Sequence, residues 1–271
     1  MSQNTFSSTE LLTYANLQIA AEALYGQLGK PVGVPDTLMT KEEISEINKN
    51  LTATNPDDDD DYLTFGNKHT SKFSPTQATE FVKDWEIVSH LPNTATGFSG
   101  TLFKATHDIE NTNIKDGDLV ISFRSTEFVE DQLRDSIATN TLEISKTGWA
   151  MGQISDMERW FLSLKDNGLI GEEQPITVTG YSLGGHLATS FHILHSEQIK
   201  NTFTFNGAGV GDVGGDGLTT KEELQNLIKN FNNYKENGVE QLLTGKAGNF
   251  SVADFYNEIR SSLNEELYFY C

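Results

Sequence analysis

Residues 176–196 constrain the fold of this chain more than any other stretch. Ile176-Thr177-Val178-Thr179 is a short β-branched run. It leads through Gly180-Tyr181-Ser182-Leu183-Gly184-Gly185 into a segment over 184–196 with strong helical character. A G-x-S-x-G pattern between a strand and a helix puts the serine on a tight strand-to-helix turn. In such a turn the two backbones approach closely, so positions 180 and 184 need glycine, and Gly185 extends that room into the first helical turn. The helix also points its unpaired first-turn N–H groups toward the serine. Ser182 is therefore a candidate nucleophile, and the Leu183 N–H a candidate oxyanion donor. The bland alternative is a glycine-rich turn with an inert serine, and the strand-turn-helix context weighs against it.

Strand and helix signals alternate around this turn. A helix is expected over 9–28, capped by Ser8 or Thr9, and glycines and prolines over 26–35 punctuate a loop. Thr40 and Glu43 form a capping box opening a helix near 41–50. A helix is expected over 76–90, with Phe81, Val82, Trp85 and Val88 on one side. Strands are expected at 98–106 and 118–123, joined by turn residues over 113–117. Further helices are expected at 152–165, ended by Asn167-Gly168, and at 221–234 and 252–263, with another short strand at 202–205. This alternation implies a parallel sheet with right-handed crossovers. The expected organisation is a helical segment over 1–96 that packs on or caps the sheet, a core over 97–210 and a helical insertion over 211–271.

Composition narrows the function. The 271 residues hold 39 Asp and Glu against 19 Lys and Arg, a formal net charge of −20. That balance argues against a nucleic-acid binder, which needs a basic footprint, and against electrostatic docking on anionic lipid. A hydrophobic content of 37% supports a packed core. The one cysteine, Cys271, excludes a disulfide scaffold and a cysteine-rich metal site. No apolar run is long enough for a transmembrane helix, and the first residues lack the pattern of a cleaved signal peptide. These features fit leaderless export to the outside and a cytoplasmic protein equally.

The motifs together resemble an α/β-hydrolase of the class 3 lipase type. Those proteins carry a strand ending in F-R-G-[ST], later an H-x-G-F segment, then G-[HY]-S-L-G-G. This chain reads Phe123-Arg124-Ser125-Thr126, Lys146-Thr147-Gly148-Trp149 and Gly180-Tyr181-Ser182-Leu183-Gly184-Gly185-His186-Leu187-Ala188. It continues with Thr204-Phe205-Asn206-Gly207-Ala208-Gly209 and is most similar to bacterial lipase-like proteins, some of which carry C-terminal calcium-binding secretion repeats. The resemblance covers about residues 97–210. It implies a three-layer α/β-hydrolase sandwich with a mostly parallel sheet, incomplete at the C-terminus, behind N-terminal helices. By the same analogy the Thr126 N–H is the second oxyanion donor. Ser125 stands where the family has glycine, and Lys146 where it has histidine. Arg124 is expected to tie its loop through a bidentate pair rather than to touch substrate.

A serine hydroxyl needs a base, and in this fold the triad runs serine, acid, histidine along the chain. The histidines are His69, His90, His107, His186, His192 and His195. His186 lies one turn into the elbow helix, and His195 lies roughly 15–20 Å along it, so all three later histidines are read as helix-surface or packed. The triad acid and histidine are therefore expected beyond residue 271, and no acid is chosen among Asp212, Asp216, Glu236, Glu240 and Asp254. Residues 212–223 match an EF-hand loop at Asp212, Asp216, Gly217 and Glu223 but have Gly214 where an oxygen ligand belongs. A polar loop capping the next helix is the preferred reading, and calcium at Asp212, Asp216 and Glu223 the alternative. The five aspartates at 57–61 read as a solvated loop.

The leading expectation is a serine carboxylester hydrolase of lipase or phospholipase type, acting on a small-molecule ester or lipid and requiring no cofactor. Thioesterase, acyltransferase and peptidase are same-fold alternatives. A non-catalytic binding or calcium-binding module is the alternative of another class.

Overall fold

A computed structural model describes residues 6–23, 25, 38–52, 62–66, 71–94, 96–125, 148–210 and 220–237. The expected helix at 252–263, the aspartates at 57–61, and residues Thr126, Lys146, Asp212 and Asp216 lie outside these.

Helix α1 spans Ser8–Ala21. Its cap is Ser7, one residue earlier than expected, whose hydroxyl accepts from the Glu10 N–H at 3.0 Å. Helix α2 spans Lys41–Asn50 with the Thr40–Glu43 box closed in both directions. The short α3 covers Tyr62–Phe65, and α4 covers Pro75–Asp84 behind a Ser74–Gln77 box. Strands β1 (Trp85–Leu91), β2 (Gly100–Ala105) and β3 (Leu119–Phe123) follow. Helix α5 (Met151–Asp166), strand β4 (Ile176–Tyr181), helix α6 (Leu183–His195), strand β5 (Ile199–Phe205) and helix α7 (Lys221–Asn237) complete the set.

The expected helix at 76–90 is corrected. It stops at Asp84, and Trp85–Leu91 is an edge strand, so the sheet takes in residues ahead of 97. Phe81, Val82, Trp85 and Val88 repeat at helical spacing, but Trp-Glu-Ile-Val-Ser-His-Leu is rich in the branched and aromatic residues that suit a pleated surface. Residue 88 is an irregularity in the pairing with β2. There the Asn48 carboxamide of α2 donates to the Ile87 carbonyl at 2.7 Å and accepts from the Ile87 N–H at 2.9 Å. This side chain covers an edge that would otherwise present unpaired backbone groups.

The five strands form one mixed sheet in the order β1-β2-β3-β4-β5. β2 runs antiparallel to β1 and β3, while β3, β4 and β5 are parallel, so four of five strands point the same way. Helices cover both faces. Tyr14, Leu17 and Ala20 of α1, Ile44 and Ile47 of α2 and Phe81 of α4 pack on the face bearing Phe103, Val120 and Phe203. Tyr14 stacks on Phe203 with centroids 4.0 Å apart. Ile154, Trp160 and Phe161 of α5, Leu187 and Phe191 of α6, and Leu224 of α7 pack on the other, with Ile121, Phe123 and Val178. The result is an α/β fold in which the described N-terminal helices lie against the sheet. Among the described residues no helix is long and apolar enough to cross a membrane.

A buried polar row crosses the face under α1. His90 pairs with Thr101, Thr101 with Ser122 and Ser122 with Thr179, all four at 0% exposure. His90 Nδ1 lies 2.9 Å from Thr101 Oγ1, and the Tyr25 ring meets the imidazole edge-on at 5.1 Å. Burial, aided by the nearby Arg124 charge, pushes the His90 pKa down to about 3. The unfolded chain thus binds a proton that the folded chain refuses. The stability from neutral His90 is complete above pH 6.5 and declines as pH falls toward 3, with a limiting slope of about 1.4 kcal/mol per pH unit. Urea unfolding at a series of pH values is expected to show His90→Gln losing about one proton's worth of that acid-side slope.

Candidate active site

The elbow has the geometry that its sequence implies. β4 ends at Tyr181 and α6 starts at Leu183, leaving Ser182 alone on the turn with φ 51° and ψ −117°. Such backbone strains a residue with a Cβ by about 1–3 kcal/mol. The other described non-glycine residues at positive φ are Asn111 and Asn206, a residue type that tolerates the left-handed region. Three hydrogen bonds hold Ser182 there. Its N–H donates to the Phe205 carbonyl at 3.1 Å, and its carbonyl accepts from the Ala208 N–H at 2.9 Å and the His186 N–H at 3.2 Å. The end of β5 and the loop after it thus grip the turn from one side.

Glycine is required where the motif has it. A Cβ at Gly180 would stand 2.1 Å from the Gly184 carbonyl oxygen. One at Gly184 would stand 2.2 Å from the Phe123 carbonyl oxygen, and one at Gly185 2.7 Å from the Gly207 Cα. The elbow is therefore wedged between the ends of β3 and β5. Leu183, Gly184 and Gly185 open α6, and their N–H groups precede the first intrahelical donor, the His186 N–H. Together with the helix dipole they favour negative charge beside Ser182. The Tyr181 side chain is 42% exposed and puts an aromatic surface next to the serine.

The strand end β3 lies against this turn. Arg124 is 3% exposed, and its N–H donates to the Ser99 carbonyl at 3.2 Å. Ser125 donates both its N–H and its hydroxyl to the Glu22 carboxylate, at 2.9 and 2.8 Å. Glu22 caps α1 and is 2% exposed. No sequence signal links residues 22 and 125, which are joined only by the fold.

His186 is fully buried and joins three segments. Its Nδ1 lies 2.8 Å from the Gly209 carbonyl, and its Nε2 accepts from the Ala150 N–H at 3.1 Å. This pairing makes Nδ1 the protonated nitrogen of a neutral ring. Burial depresses the His186 pKa, partly opposed by the Gly209 carbonyl. The side chain thereby ties the segment at 148–150 and the loop at 207–210 to the elbow helix. His186→Ala would leave the buried Ala150 N–H without its acceptor, and chemical unfolding is expected to show a loss of about 1–3 kcal/mol.

The other described histidines are also engaged away from Ser182. His90 pairs with Thr101, His107 with Asp84, and His192 with Thr202. His195 pairs with Glu158 at 2.7 Å and lies against the Phe161 and Phe191 rings. His69 is outside the described residues. At the loop read as a cap for the next helix, with calcium as the alternative, Glu223 forms a reciprocal cap with Thr220: its carboxylate accepts the Thr220 N–H at 2.7 Å, and its own N–H donates to the Thr220 hydroxyl at 3.2 Å. Among the described residues no group of three or more His, Cys, Asp or Glu is gathered that could hold a metal ion.

Compared with known proteins, the chain matches no family model, no curated protein and no solved structure. The functional reading therefore rests on the residues and geometry of the elbow.

Proposed function

We propose that the protein is a serine carboxylester hydrolase of the α/β-hydrolase type, acting on lipid-type esters as a lipase or phospholipase through an acyl-enzyme at Ser182. The observation that carries this reading is the strained Ser182 at φ 51°, held between β4 and the first turn of α6. A strained serine at a strand end, with helix N–H groups beside it, suits nucleophilic attack on a carbonyl. In this reading Ser182 Oγ adds to the ester carbonyl and loses its proton to a base. The resulting oxyanion is held by the N–H groups of Leu183 and Thr126. Collapse expels the alcohol, and water then releases the acid from the acyl-enzyme. The exposed Tyr181 ring supports an apolar acyl chain beside the nucleophile. The acid and histidine of the triad are unassigned among the described residues. Thioester, acyl-transfer and peptide chemistry would use the same first steps and differ in the pocket.

The engagement of all five described histidines favours one other reading, a non-catalytic module on the same fold, with calcium at Asp212, Asp216 and Glu223 as its candidate ligand. Hydrolysis of p-nitrophenyl esters of graded acyl length by the complete gene product, with and without calcium, separates the two. The hydrolase reading expects turnover whose kcat/KM falls on the order of 10³-fold or more in Ser182→Ala. No turnover at any acyl length, with or without calcium, favours the binding module.

A further inference from the structure

We propose that His186 is a positioning residue for the Ser182 nucleophile, an inference that rests on the hydrolase reading and adds a component to it. The ladder between β4 and β5 ends where Tyr181 pairs with Phe205. Beyond it, the chain at 206–209 has no strand partner among the described residues, and two hydrogen bonds fasten it to the elbow. The Ala208 N–H donates to the Ser182 carbonyl at 2.9 Å, and the Gly209 carbonyl accepts from His186 Nδ1 at 2.8 Å. The His186 N–H donates to the same Ser182 carbonyl at 3.2 Å, so residues 182, 186, 208 and 209 close a cycle of hydrogen bonds. Gly207 lies beside it, with its Cα 2.7 Å from where a Gly185 Cβ would stand. A single bond at Ala208 would act as a pivot. The second, reaching a residue one helical turn along α6, sets the direction of the loop as well as its position.

The imidazole is itself held from the other side. The Ala150 N–H donates to Nε2 at 3.1 Å, which fixes the ring orientation and leaves Nδ1 as the donor. The buried Trp149 ring lies 5.9 Å from the imidazole, centroid to centroid. Burial disfavours the charged ring, so the neutral form, with one donor and one acceptor, is kept. On the same helix Leu187, Ala188, Phe191 and Leu194 are buried and apolar, and an apolar side chain at 186 would fill the space without desolvating two ring nitrogens. A polar ring satisfied at both nitrogens instead fixes direction. Direction matters at Ser182, whose carbonyl at ψ −117° is kept in place by the loop that the imidazole holds. Without the His186 bond, the loop can swing away with Ala208, and the strained turn relaxes toward an ordinary conformation. The Ser182 Oγ then shifts relative to the Leu183 N–H, and a displacement of about 1 Å at a reacting atom costs up to roughly 10²-fold in rate.

The test uses the complete gene product and an alkyl fluorophosphonate, with the maximal inactivation rate and the half-saturating concentration measured separately. His186→Phe keeps a buried ring and loses both side-chain hydrogen bonds. It is expected to lower the maximal rate roughly 10–100-fold while half-saturation stays within about twofold. His186→Gln offers an acceptor and a donor at nearly the spacing of the ring nitrogens, and its maximal rate should recover to within about threefold of wild type. Ala208→Pro removes the N–H that holds the Ser182 carbonyl, at a partly exposed position, and should slow the maximal rate by a factor similar to His186→Phe. In the Ala208→Pro background, His186→Phe should lower the rate less than it does alone. Thermal unfolding of each variant establishes the folded fraction to which rates are normalised, and Ala208→Pro carries the test if His186→Phe does not fold. Normalised maximal rates unchanged in His186→Phe or in Ala208→Pro would overturn the positioning role, as would a Gln variant as slow as the Phe variant. A wild-type protein that does not react overturns the hydrolase reading instead, and the positioning role with it.

Discussion

Gly184→Ala is expected to destabilise the protein by about 3 kcal/mol or more. The added Cβ would stand 2.2 Å from the Phe123 carbonyl oxygen and 3.0 Å from its carbon. Both atoms are backbone, so no rotamer change relieves the contact. Phe123 is also paired with Gly180 across the β3–β4 ladder and with Gly100 across β2–β3. Moving it disturbs three strands at the centre of the sheet. The melting temperature should fall by roughly 6–12 °C. Gly209→Ala is the control: no atom lies within 4 Å of its Cβ, and the change should stay within about 0.5 kcal/mol. Differential scanning calorimetry of the two variants checks both. A Gly184→Ala protein as stable as Gly209→Ala would contradict the close strand–helix approach.

Replacing the serine itself separates chemistry from strain. Ser182→Ala and Ser182→Gly should both lose ester turnover, by on the order of 10³-fold or more, because neither side chain can form an acyl-enzyme. Their stabilities should differ. Alanine keeps a Cβ at φ 51° and retains the backbone strain. Glycine relieves about 1–3 kcal/mol of it and gives back about 0.5–1 kcal/mol in chain entropy. The glycine variant should therefore be about 1 kcal/mol more stable than the alanine variant in urea unfolding. Equal stabilities would mean that the turn stores no strain at residue 182. This effect would show that the protein maintains an unfavourable backbone at the position where the proposed reaction occurs.

The parts of this molecule that were legible in the sequence are those whose cause is local. The Thr40–Glu43 box and the Gly168 stop of α5 each depend on residues within four positions. The elbow also belongs here, since 180–185 specify both the crowding and the turn. Trp85–Leu91 was not legible as a strand, because its apolar spacing fits a helix until β2 and the Asn48 carboxamide pair with it. β5 begins at Ile199, ahead of the expected 202, because polar residues such as Lys200 and Asn201 are acceptable on an outer strand. The Glu22–Ser125 pairing spans 103 residues. His186 could be read as packed, but its ties to Ala150 and Gly209 exist only once α5 and β5 flank the elbow helix.

Hydrolysis by this protein requires Ser182 to be an activated nucleophile. The most direct measurement is intact-mass and peptide mass spectrometry of the complete gene product after exposure to a fluorophosphonate near neutral pH. An isolated serine hydroxyl reacts negligibly with such a reagent, so a covalent adduct reports a base and an oxyanion site acting together. One adduct per chain is expected, on the peptide containing Ser182 and absent from Ser182→Ala. No adduct on native wild-type protein, with or without calcium, or an adduct that persists in Ser182→Ala, would contradict it.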